Sequence, residues 1–356
     1  MPRPIRATIS AGALAHNLLA AQACAGASKL WAVAKANAYG HGLERAARAL
    51  GAADGFAVLD FEEAARLRRA GVAKPILMLE GVFEPADLAA LREYALTPVI
   101  HSPEQVNLLC KSPLAGAFDV YLKVNSGMNR LGFGVESLHS AYHRLREHPR
   151  VRSVTLMTHF ADADGPRGIT AQLEWFNELT QALEGPRSLA NSAALIRYPQ
   201  TRGDWVRPGI MLYGCSPFAE TSAEALGLRP AMTLRSEIIA RQQLQPGERI
   251  GYGFAYQAAG EMTIGVVACG YADGYPRHAP SGTPVLVNGK RSRIVGRVSM
   301  DMICVDISDH PQAGVGTPVT LWGEGLSADE LAAAADTLSY ELLCALAPRV
   351  PVSEVP

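Results

Sequence analysis

Short apolar runs alternate with helical patterns along the first two-thirds of the chain. The runs lie at 30–34, 55–59, 75–79, 96–100, 118–124, 154–157, 189–190 and 206–212. Between most of them lie helical patterns with charge on one face, at 62–70, 85–94, 135–147 and 172–183. Short continuous apolar runs are typical of buried parallel strands, and about eight strand and helix units together predict an α/β fold, a (β/α)8 TIM-type barrel.

The pattern changes after residue 228. Strand-like segments at 232–239, 261–268, 283–287, 293–298, 302–307 and 318–322 are separated by Gly, Pro, Asn and Asp. One late helix, 328–337, is predicted by the capping-box residues Ser327 and Glu330. A chain of 356 residues exceeds what one hydrophobic core usually supports. We therefore expect two domains, a barrel over 1–228 and a β-rich C-terminal domain over 229–356.

Composition and charge exclude several classes of protein. With 33 Lys and Arg against 34 Asp and Glu, the chain has no basic footprint for nucleic acid. Its six cysteines are scattered without metal-ligand spacing, so we expect neither a metal site nor a disulfide framework. The Ala-rich segment 11–27 is interrupted by polar residues, and no apolar run is long enough to span a bilayer. These features indicate a cytoplasmic protein with no membrane partner.

A solitary lysine, Lys35, ends the first apolar run, at the carboxyl end of the first predicted barrel strand. Apolar neighbours make a lysine easier to deprotonate, and its free amine can form a Schiff base with an aldehyde. The following residues, through Gly42, form a turn rich in hydrogen-bonding groups and glycine. This combination points to pyridoxal 5'-phosphate (PLP). The alternative is an ordinary strand end with a lysine whose charged tip reaches solvent.

The stretch 33–42, Val-Ala-Lys-Ala-Asn-Ala-Tyr-Gly-His-Gly, resembles the hallmark of the alanine racemases, which are fold-type III PLP enzymes. Further matching motifs lie at 123–132, 158–160, 191–192, 206–213, 251–253, 270–274, 299–301 and 339–341. The resemblance implies a homodimer with shared active sites that interconverts L- and D-alanine. It also implies that a strand near 7–10 joins the C-terminal domain. The segment 125–130 favours the catabolic type.

The resemblance implies a set of cofactor-binding residues: Lys35, Tyr39, His159, Asn191, Ser192, Arg207, Gly209, Ile210 and Tyr340. Lys35 attaches PLP, and His159 packs on the pyridine ring. Barrels hold phosphate at the ends of their seventh and eighth strands. Asn191 and Ser192 lie after the seventh predicted strand, and Gly209 and Ile210 lie within the eighth. Arg207 faces the pyridine nitrogen, where a permanently charged guanidinium limits side reactions such as transamination. From the sequence alone, a strand-end salt bridge explains Arg207 equally well.

Racemisation requires an acid/base group on each face of the substrate. The resemblance assigns these roles to Lys35 and to Tyr252 of the partner subunit, with the nearby Tyr256 as the alternative.

The substrate-binding residues implied by the resemblance are Arg130, Met300, Tyr271 and Asp301. Arg130 pairs with the carboxylate, helped by the backbone N–H of the partner subunit's Met300, and Tyr271 narrows the pocket. Lys123 matches a lysine that is carbamylated in many relatives. One departure is Ser188, which stands where many relatives have a His that supports Arg207.

Three other functions compete with this one. A racemase of broader range would use the same scaffold, but the bulk of Tyr271 and Tyr340 argues against large side chains. A related decarboxylase would carry a carboxylate where Arg207 stands. A PLP-binding homeostasis protein would lack residues 229–356.

Overall fold

The computed structural model describes residues 3–111 and 117–356. The chain divides into two compact units. The barrel unit comprises residues 15–38 and 42–212, and the β unit comprises the residues up to Leu14, residues 39–41 and the chain from Tyr213 onward. The first strand of the chain, β1 (Arg6–Ser10), belongs to the β unit.

Eight parallel strands form the sheet of the barrel unit within the described residues. They are β2 (Lys29–Val33), β3 (Gly55–Val58), β4 (Ile76–Met78), β5 (Leu96–Ile100), β6 (Phe118–Lys123), β7 (Val151–Met157), β8 (Arg187–Ser188) and β9 (Trp205–Val206). Their order is β8-β7-β6-β5-β4-β3-β2-β9. The two edge strands are joined by the Asp204 N–H, which donates to the Arg187 carbonyl at 2.9 Å. The predicted (β/α)8 barrel is thereby confirmed.

Helices separate most of these strands. They span Ala11–Ala25, Leu43–Ala49, Phe61–Arg69, Pro85–Glu93, Pro103–Lys111, Val135–Arg146, Thr170–Leu179 and Ser192–Arg197. The helix Phe61–Arg69 begins where the Asp60 side chain accepts the Glu62 N–H at 2.6 Å. Its acidic first turn and basic last turn complement the helix dipole. None of the helices in the described residues is long and apolar enough to cross a membrane.

The last two predicted barrel strands differ from the observed ones. The prediction of a strand over 206–212 was wrong beyond Val206, since residues Ile210–Tyr213 form a 3-10 turn. Pro208 has no N–H to donate to a ladder, and the Gly209 N–H donates to the Ser192 hydroxyl at 2.9 Å instead. The strand predicted at 189–190 lies two residues earlier, at Arg187–Ser188.

The β unit contains most of the remaining strands in one sheet. They are β10 (Met232–Leu244), β11 (Arg249–Ile250), β12 (Tyr256–Gln257), β13 (Met262–Val267), β14 (Pro284–Val287), β15 (Lys290–Val295), β16 (Ile303–Asp306), β17 (Pro318–Trp322) and β18 (Val352–Val355). The order is β13-β16-β15-β14-β17-β10-β1-β18, while β11 and β12 form a separate hairpin. The long strand β10 also pairs with β13, which closes six of these strands into a ring.

The ends of the chain meet in this sheet. Strand β1 pairs antiparallel with β10, with Ala7 opposite Leu234, and parallel with β18, with Ala7 opposite Val352. Strand β1 thus lies in the β unit, where the family resemblance leads us to expect a strand near 7–10.

Two short helices, Ala328–Ala334 and Ser339–Cys344, complete the β unit. The predicted cap is present, because the Ser327 hydroxyl accepts the Glu330 N–H at 3.1 Å. The first helix ends three residues before the predicted 337, since Asp336 adopts a left-handed φ of 53°.

Gly40 is a point of close backbone approach in the β unit. Its φ is +78°, and a Cβ built on it would lie 2.1 Å from the Leu343 carbonyl oxygen. Gly71 has a similar φ of +86° but nothing within 4 Å of a Cβ. Substitutions at the two glycines therefore separate the cost of a left-handed backbone from the cost of a steric clash.

We expect Gly40→Ala to destabilise the protein more than Gly71→Ala. Backbone strain costs about 1–2 kcal/mol in either variant, and the conflict with Leu343 adds about 1–3 kcal/mol at Gly40 alone. Thermal unfolding of the two variants beside the parent protein measures the difference. Equal losses would show that the approach to Leu343 is unimportant.

Candidate active site

Basic side chains collect at the carboxyl ends of the barrel strands. Lys123 is the last residue of β6, and Arg207 follows β9 directly. Lys35 and His159 each lie two residues beyond a strand end, after β2 and β7. Because the carboxyl ends of parallel strands share one face of a barrel, the fold brings these four predicted residues to one end.

His159 reports the positive charge of this end most directly. Burial lowers its pKa from 6.5 to about 3, and the charges of Arg207, Lys123, Arg130 and Lys35 lower it further in the same direction. A histidine in these surroundings is neutral at physiological pH. It can pack on a ring or accept a hydrogen bond without adding to the charge.

Lys123 is buried, with 8% of its surface exposed. Burial lowers its pKa from 10.5 to about 8, helped by the charges of Arg207, Arg130 and Lys35, while Glu80 acts in the opposite sense. A substantial fraction of its amine is therefore neutral near pH 8. The cluster has more cations than nearby carboxylates, which suits it to an anionic ligand.

Arg207 is buried at 4% exposure and fixed by carbonyl groups. Its Nη1 donates to the Ser188 carbonyl and hydroxyl, each at 2.6 Å. Its Nη2 donates to the carbonyls of Thr158 at 2.5 Å and Leu189 at 3.2 Å. Burial lowers the pKa of Arg207 to about 10, which still leaves it protonated at neutral pH. Ser188 thus supports Arg207 through both its carbonyl and its hydroxyl.

The turn after Lys35 has an unusual backbone. Four consecutive residues, 36 to 39, have φ between 51° and 55° in the left-handed region. That conformation costs about 1–2 kcal/mol per residue outside glycine. Asn37 is held in it from two sides, since its N–H donates to Glu63 Oε1 at 2.9 Å and its Oδ1 accepts the Leu43 N–H at 3.0 Å. Strain of this kind is typical of functional sites.

The candidate phosphate ligands adjoin one another. Ser192 Oγ accepts the Gly209 N–H at 2.9 Å, and Ile210 begins the 3-10 turn that follows. Asn191 caps the helix Ser192–Arg197 by accepting the Ala194 N–H at 2.9 Å. A hydroxyl and backbone N–H groups thus lie at the end of β8 and β9, as the sequence predicts.

Arg130 is exposed, on a loop anchored at both ends. The Phe133 N–H donates to the Lys123 carbonyl at 2.8 Å, and the Asn125 N–H donates to the Phe133 carbonyl at 2.9 Å. Within the loop, Asn125 Oδ1 accepts the Asn129 N–H at 3.0 Å. The loop holds Arg130 close enough to lower the pKa values of Lys123 and His159.

Three tyrosines of the β unit lie close together, and two of them stack. Tyr39 is buried and lies 4.6 Å from the ring of Tyr213, at 25°. Tyr340 lies 6.0 Å from Tyr39. Burial raises the pKa of Tyr39, so its hydroxyl remains a neutral donor. The structure thus brings together two tyrosines, Tyr39 and Tyr340, that the resemblance implies as cofactor-binding residues.

Tyr252 lies in the turn between β11 and β12, with 69% of its surface exposed. Tyr256, the alternative base, packs against the apolar cluster of Ile250, Ile264 and Val295. The guanidinium of Arg297 lies beside this turn, since a Cβ on Gly253 would be 3.2 Å from Arg297 Nη1. Tyr252 is therefore the tyrosine of this hairpin that is free to reach a ligand.

The other substrate candidates lie on two adjacent segments of the β unit. Tyr271 and Met300 are exposed, at 39% and 52%. Asp301 is half-buried, and its Oδ1 accepts Arg349 Nη2 at 2.7 Å. An arginine partner therefore already engages Asp301.

Some residues around the site were not predicted from sequence. Glu63 holds the Lys35 turn, and Tyr121, which accepts Trp31 Nε1 at 2.9 Å, lies near enough to Arg207 to affect its pKa. Neither residue stands in a recognisable motif. Alternation of side chains along the strand Phe118–Lys123 places Tyr121 on one of its two faces but does not identify its neighbours. No cluster of three potential metal ligands occurs in 3–111 and 117–356.

The pKa of His159 predicts a pH dependence of stability. Because its folded-state value of about 3 lies below 6.5, the unfolded chain binds the proton first, and stability is lost as pH falls from 6.5 toward 3. We expect His159→Gln to remove up to about 2 kcal/mol of the loss between pH 7 and pH 5. Urea unfolding of cofactor-free protein at both pH values measures this. The exposed His278→Gln is the control, and equal slopes in all three proteins would contradict the assignment.

Comparison with known proteins identifies the family. A model of the alanine racemase N-terminal domain matches residues 9–217, and one of the alanine racemase C-terminal domain matches 231–353. The chain is similar to the alanine racemase of Ralstonia nicotianae, 54% identical over 361 residues, which covers 100% of this chain and 96% of that protein. It is 55% identical to that of Paraburkholderia phytofirmans over 353 residues, with 99% of each covered.

Solved structures give the same result. The biosynthetic alanine racemase of Pseudomonas aeruginosa matches with a TM-score of 0.97 and 48% identity, covering 99% of this chain and 100% of that one. The alanine racemase of Acinetobacter baumannii matches with a TM-score of 0.94 and 37% identity, at 99% and 100% coverage. The shared motifs, the two domain matches and the fold agree, and the chain belongs to the alanine racemase family.

Proposed function

We propose that this chain interconverts L- and D-alanine with PLP attached to Lys35, as a cytoplasmic homodimer. The observation that carries the proposal is the group of cations at the carboxyl end of the barrel, where Lys35, Lys123, Arg130 and Arg207 surround His159. PLP and the substrate both carry negative charge, which these cations can bind. The aldehyde of PLP forms a Schiff base with a lysine amine, which Lys35 supplies.

The residues fit this cofactor. In the proposal, the phosphate is held by the Ser192 hydroxyl, the N–H groups of Gly209 and Ile210, and the hydroxyls of Tyr39 and Tyr340. His159 lies on the ring as a neutral imidazole, because its pKa of about 3 keeps it unprotonated. PLP, when bound, supplies an electron-withdrawing ring that makes the α-proton of an amino acid easier to remove.

Arg207 sets how strongly the ring withdraws electrons. Its N–H groups donate to the carbonyls of Ser188, Thr158 and Leu189, which fix the guanidinium in one orientation. A guanidinium cannot supply a proton to the ring nitrogen at neutral pH. We therefore assign Arg207 to the pyridine nitrogen, where it limits side reactions.

Two groups move the proton. Lys35 Nζ serves one face of the substrate, and the hydroxyl of the partner subunit's Tyr252 serves the other. The exposure of Tyr252 at a hairpin tip supports this choice over Tyr256, whose ring packs on an apolar cluster. Arg297, beside the same turn, is a source of the positive charge that a tyrosine base requires.

Arg130 binds the substrate carboxylate in this proposal, and Lys123 supports it as a carbamate. Carbamylation joins a neutral amine to carbon dioxide, and the pKa of Lys123, about 8, leaves a usable neutral fraction. The modification replaces a positive charge beside Arg130 by a negative one. Like-charge repulsion is thereby exchanged for attraction, a difference of about 1–4 kcal/mol each way at contact distance.

The homodimer is supported by exposed aromatic surface. Tyr252 and Phe254 share one hairpin turn and are 69% and 66% exposed. Contiguous exposed apolar surface is a feature of protein contacts, and these two adjacent side chains contribute such surface at one turn. No disulfide joins the six cysteines, all of which lie in the described residues.

The catabolic role stays a prediction, and the similar Pseudomonas aeruginosa structure is described as a biosynthetic alanine racemase. A broader substrate range is opposed by the bulk of Tyr271 and Tyr340.

Proton NMR with PLP and L-alanine in D2O, paired with chiral analysis, tests the proposal. We expect the α-proton signal to disappear while D-alanine accumulates. Tyr252→Phe should lower inversion at least about a hundredfold, because one face loses its proton carrier. Its cofactor absorbance should remain.

Tyr256→Phe, in the same hairpin, is the matched control and should retain activity. Loss of activity in Tyr256→Phe with retention in Tyr252→Phe would reverse the assignment. Absence of α-proton exchange in the parent protein would overturn the proposed function.

A further inference from the structure

A buried ion pair network in the β unit involves residues near both ends of the chain. The carboxylate of Asp273 is 0% exposed. It accepts Arg3 Nη1 at 2.8 Å, Arg349 Nε at 2.8 Å and the Gly270 N–H at 2.9 Å. With Arg3 Nη2 at 3.2 Å as a further donor, Asp273 accepts hydrogen bonds from three residues, two of them near opposite ends of the chain.

The same two arginines reach a second segment. Arg349 Nη2 donates to Asp301 Oδ1 at 2.7 Å, and Arg3 Nη2 donates to the Asp301 carbonyl at 2.6 Å. Each guanidinium thus bridges Asp273, at the end of the turn Tyr271–Asp273, to Asp301. The planar fork of arginine suits it to two such partners, which lysine cannot engage in the same way.

Backbone contacts hold the two segments together at short range. The Tyr271 N–H donates to the Ser299 carbonyl and the Ala272 N–H to the Met300 carbonyl, each at 3.0 Å. A Cβ on Gly270 would lie 2.3 Å from the Ser299 carbonyl oxygen. The relative placement of Tyr271 and Met300 therefore depends on this junction.

The charge of Asp273 is essential to the junction. Burial alone would raise its pKa, but hydrogen bonds from Arg3, Arg349 and the Gly270 N–H hold the pKa below its ordinary value. A buried carboxylate of this kind is strongly destabilising when one partner is removed. Arg3 and Arg349 are themselves part-exposed, at 38% and 41%, and a change at one of them leaves the other paired with Asp273.

We propose that Asp273, with Arg3 and Arg349, is a positioning residue that fixes Tyr271 relative to Met300 and thereby limits the size of the substrate side chain. The inference rests on the proposed function, in which Tyr271 narrows the pocket and the Met300 N–H binds the carboxylate. None of the three network residues contacts the substrate. Their effect is on selectivity between alanine and larger amino acids.

The test compares kcat/KM for alanine and 2-aminobutyrate, which differ by one methylene. We expect Asp273→Asn and Arg349→Ala to reduce the preference for alanine about tenfold, because a displaced Tyr271 admits the longer side chain. Arg349→Lys should recover part of the preference, since it restores the charge but not the fork. Arg293→Ala, which breaks the Arg293–Asp306 pair of the same unit at 3.2 Å, is the control and should leave the ratio unchanged.

Hydrogen exchange supplies a readout independent of activity. Arg349→Ala should speed amide exchange in 270–274 and 299–301 and leave the hairpin 249–257 unchanged. If Asp273→Asn does not fold, Arg349→Ala and Arg349→Lys carry the comparison.

An unchanged substrate ratio in folded network variants would overturn the inference and leave the network with a purely structural role. Faster exchange throughout the β unit, including the hairpin, would also overturn it. Failure of the parent protein to exchange the α-proton of alanine would instead refute the proposed function, while the exchange pattern would still report on the junction.

Discussion

Repulsion among the cations at the carboxyl end of the barrel is the constraint on which the site depends. Arg207 and Lys123 are buried, and Lys35 and Arg130 lie near enough to act on the same histidine. Like charges in partly buried surroundings are costly unless an anion compensates them. Burial is the larger cause of the lowered pKa values of His159 and Lys123, and the neighbouring cations lower both values further. Binding of a phosphate and a carboxylate would relieve the repulsion.

Hydrogen bonds hold several of these groups in one position. Arg207 is fixed by carbonyl oxygens, and the left-handed turn after Lys35 is fixed by Glu63 and the Asn37 side chain. In the β unit, by contrast, Tyr252 and Met300 are exposed on a hairpin turn and a loop. Rigid placement of the cations and outward presentation of the second set of residues suit the shared site between two copies that we propose.

Much of the fold could be predicted from sequence because its patterns are local. The strand Leu96–Ile100 has the predicted bounds, since a continuous apolar run specifies a buried parallel strand. The short strands Arg187–Ser188 and Trp205–Val206 were misplaced, because Pro208 and the Ser192 hydroxyl interrupt the ladder in ways that only the three-dimensional neighbours reveal. The expectation that a strand near 7–10 joins the C-terminal domain came from the family resemblance and not from composition.

Those site residues that stand in sequence motifs could be predicted from the sequence. The segment around Lys35 and the position of Arg207 are visible in sequence, but their supports are not. Ser188, Glu63 and the network of Asp273 act through partners between about twenty and several hundred residues distant, and no spacing rule connects such pairs.

The most direct test of the account is to identify which lysine carries the cofactor. Sodium borohydride reduces the imine between a lysine and an aldehyde to a stable amine. The protein is therefore loaded with PLP, reduced and digested, and the peptide masses are measured by mass spectrometry. We expect the adduct on the peptide that contains Lys35, with the peptide of Lys123 free of it. An adduct on Lys123, or on neither lysine, would contradict the assignment of the cation cluster as the cofactor site.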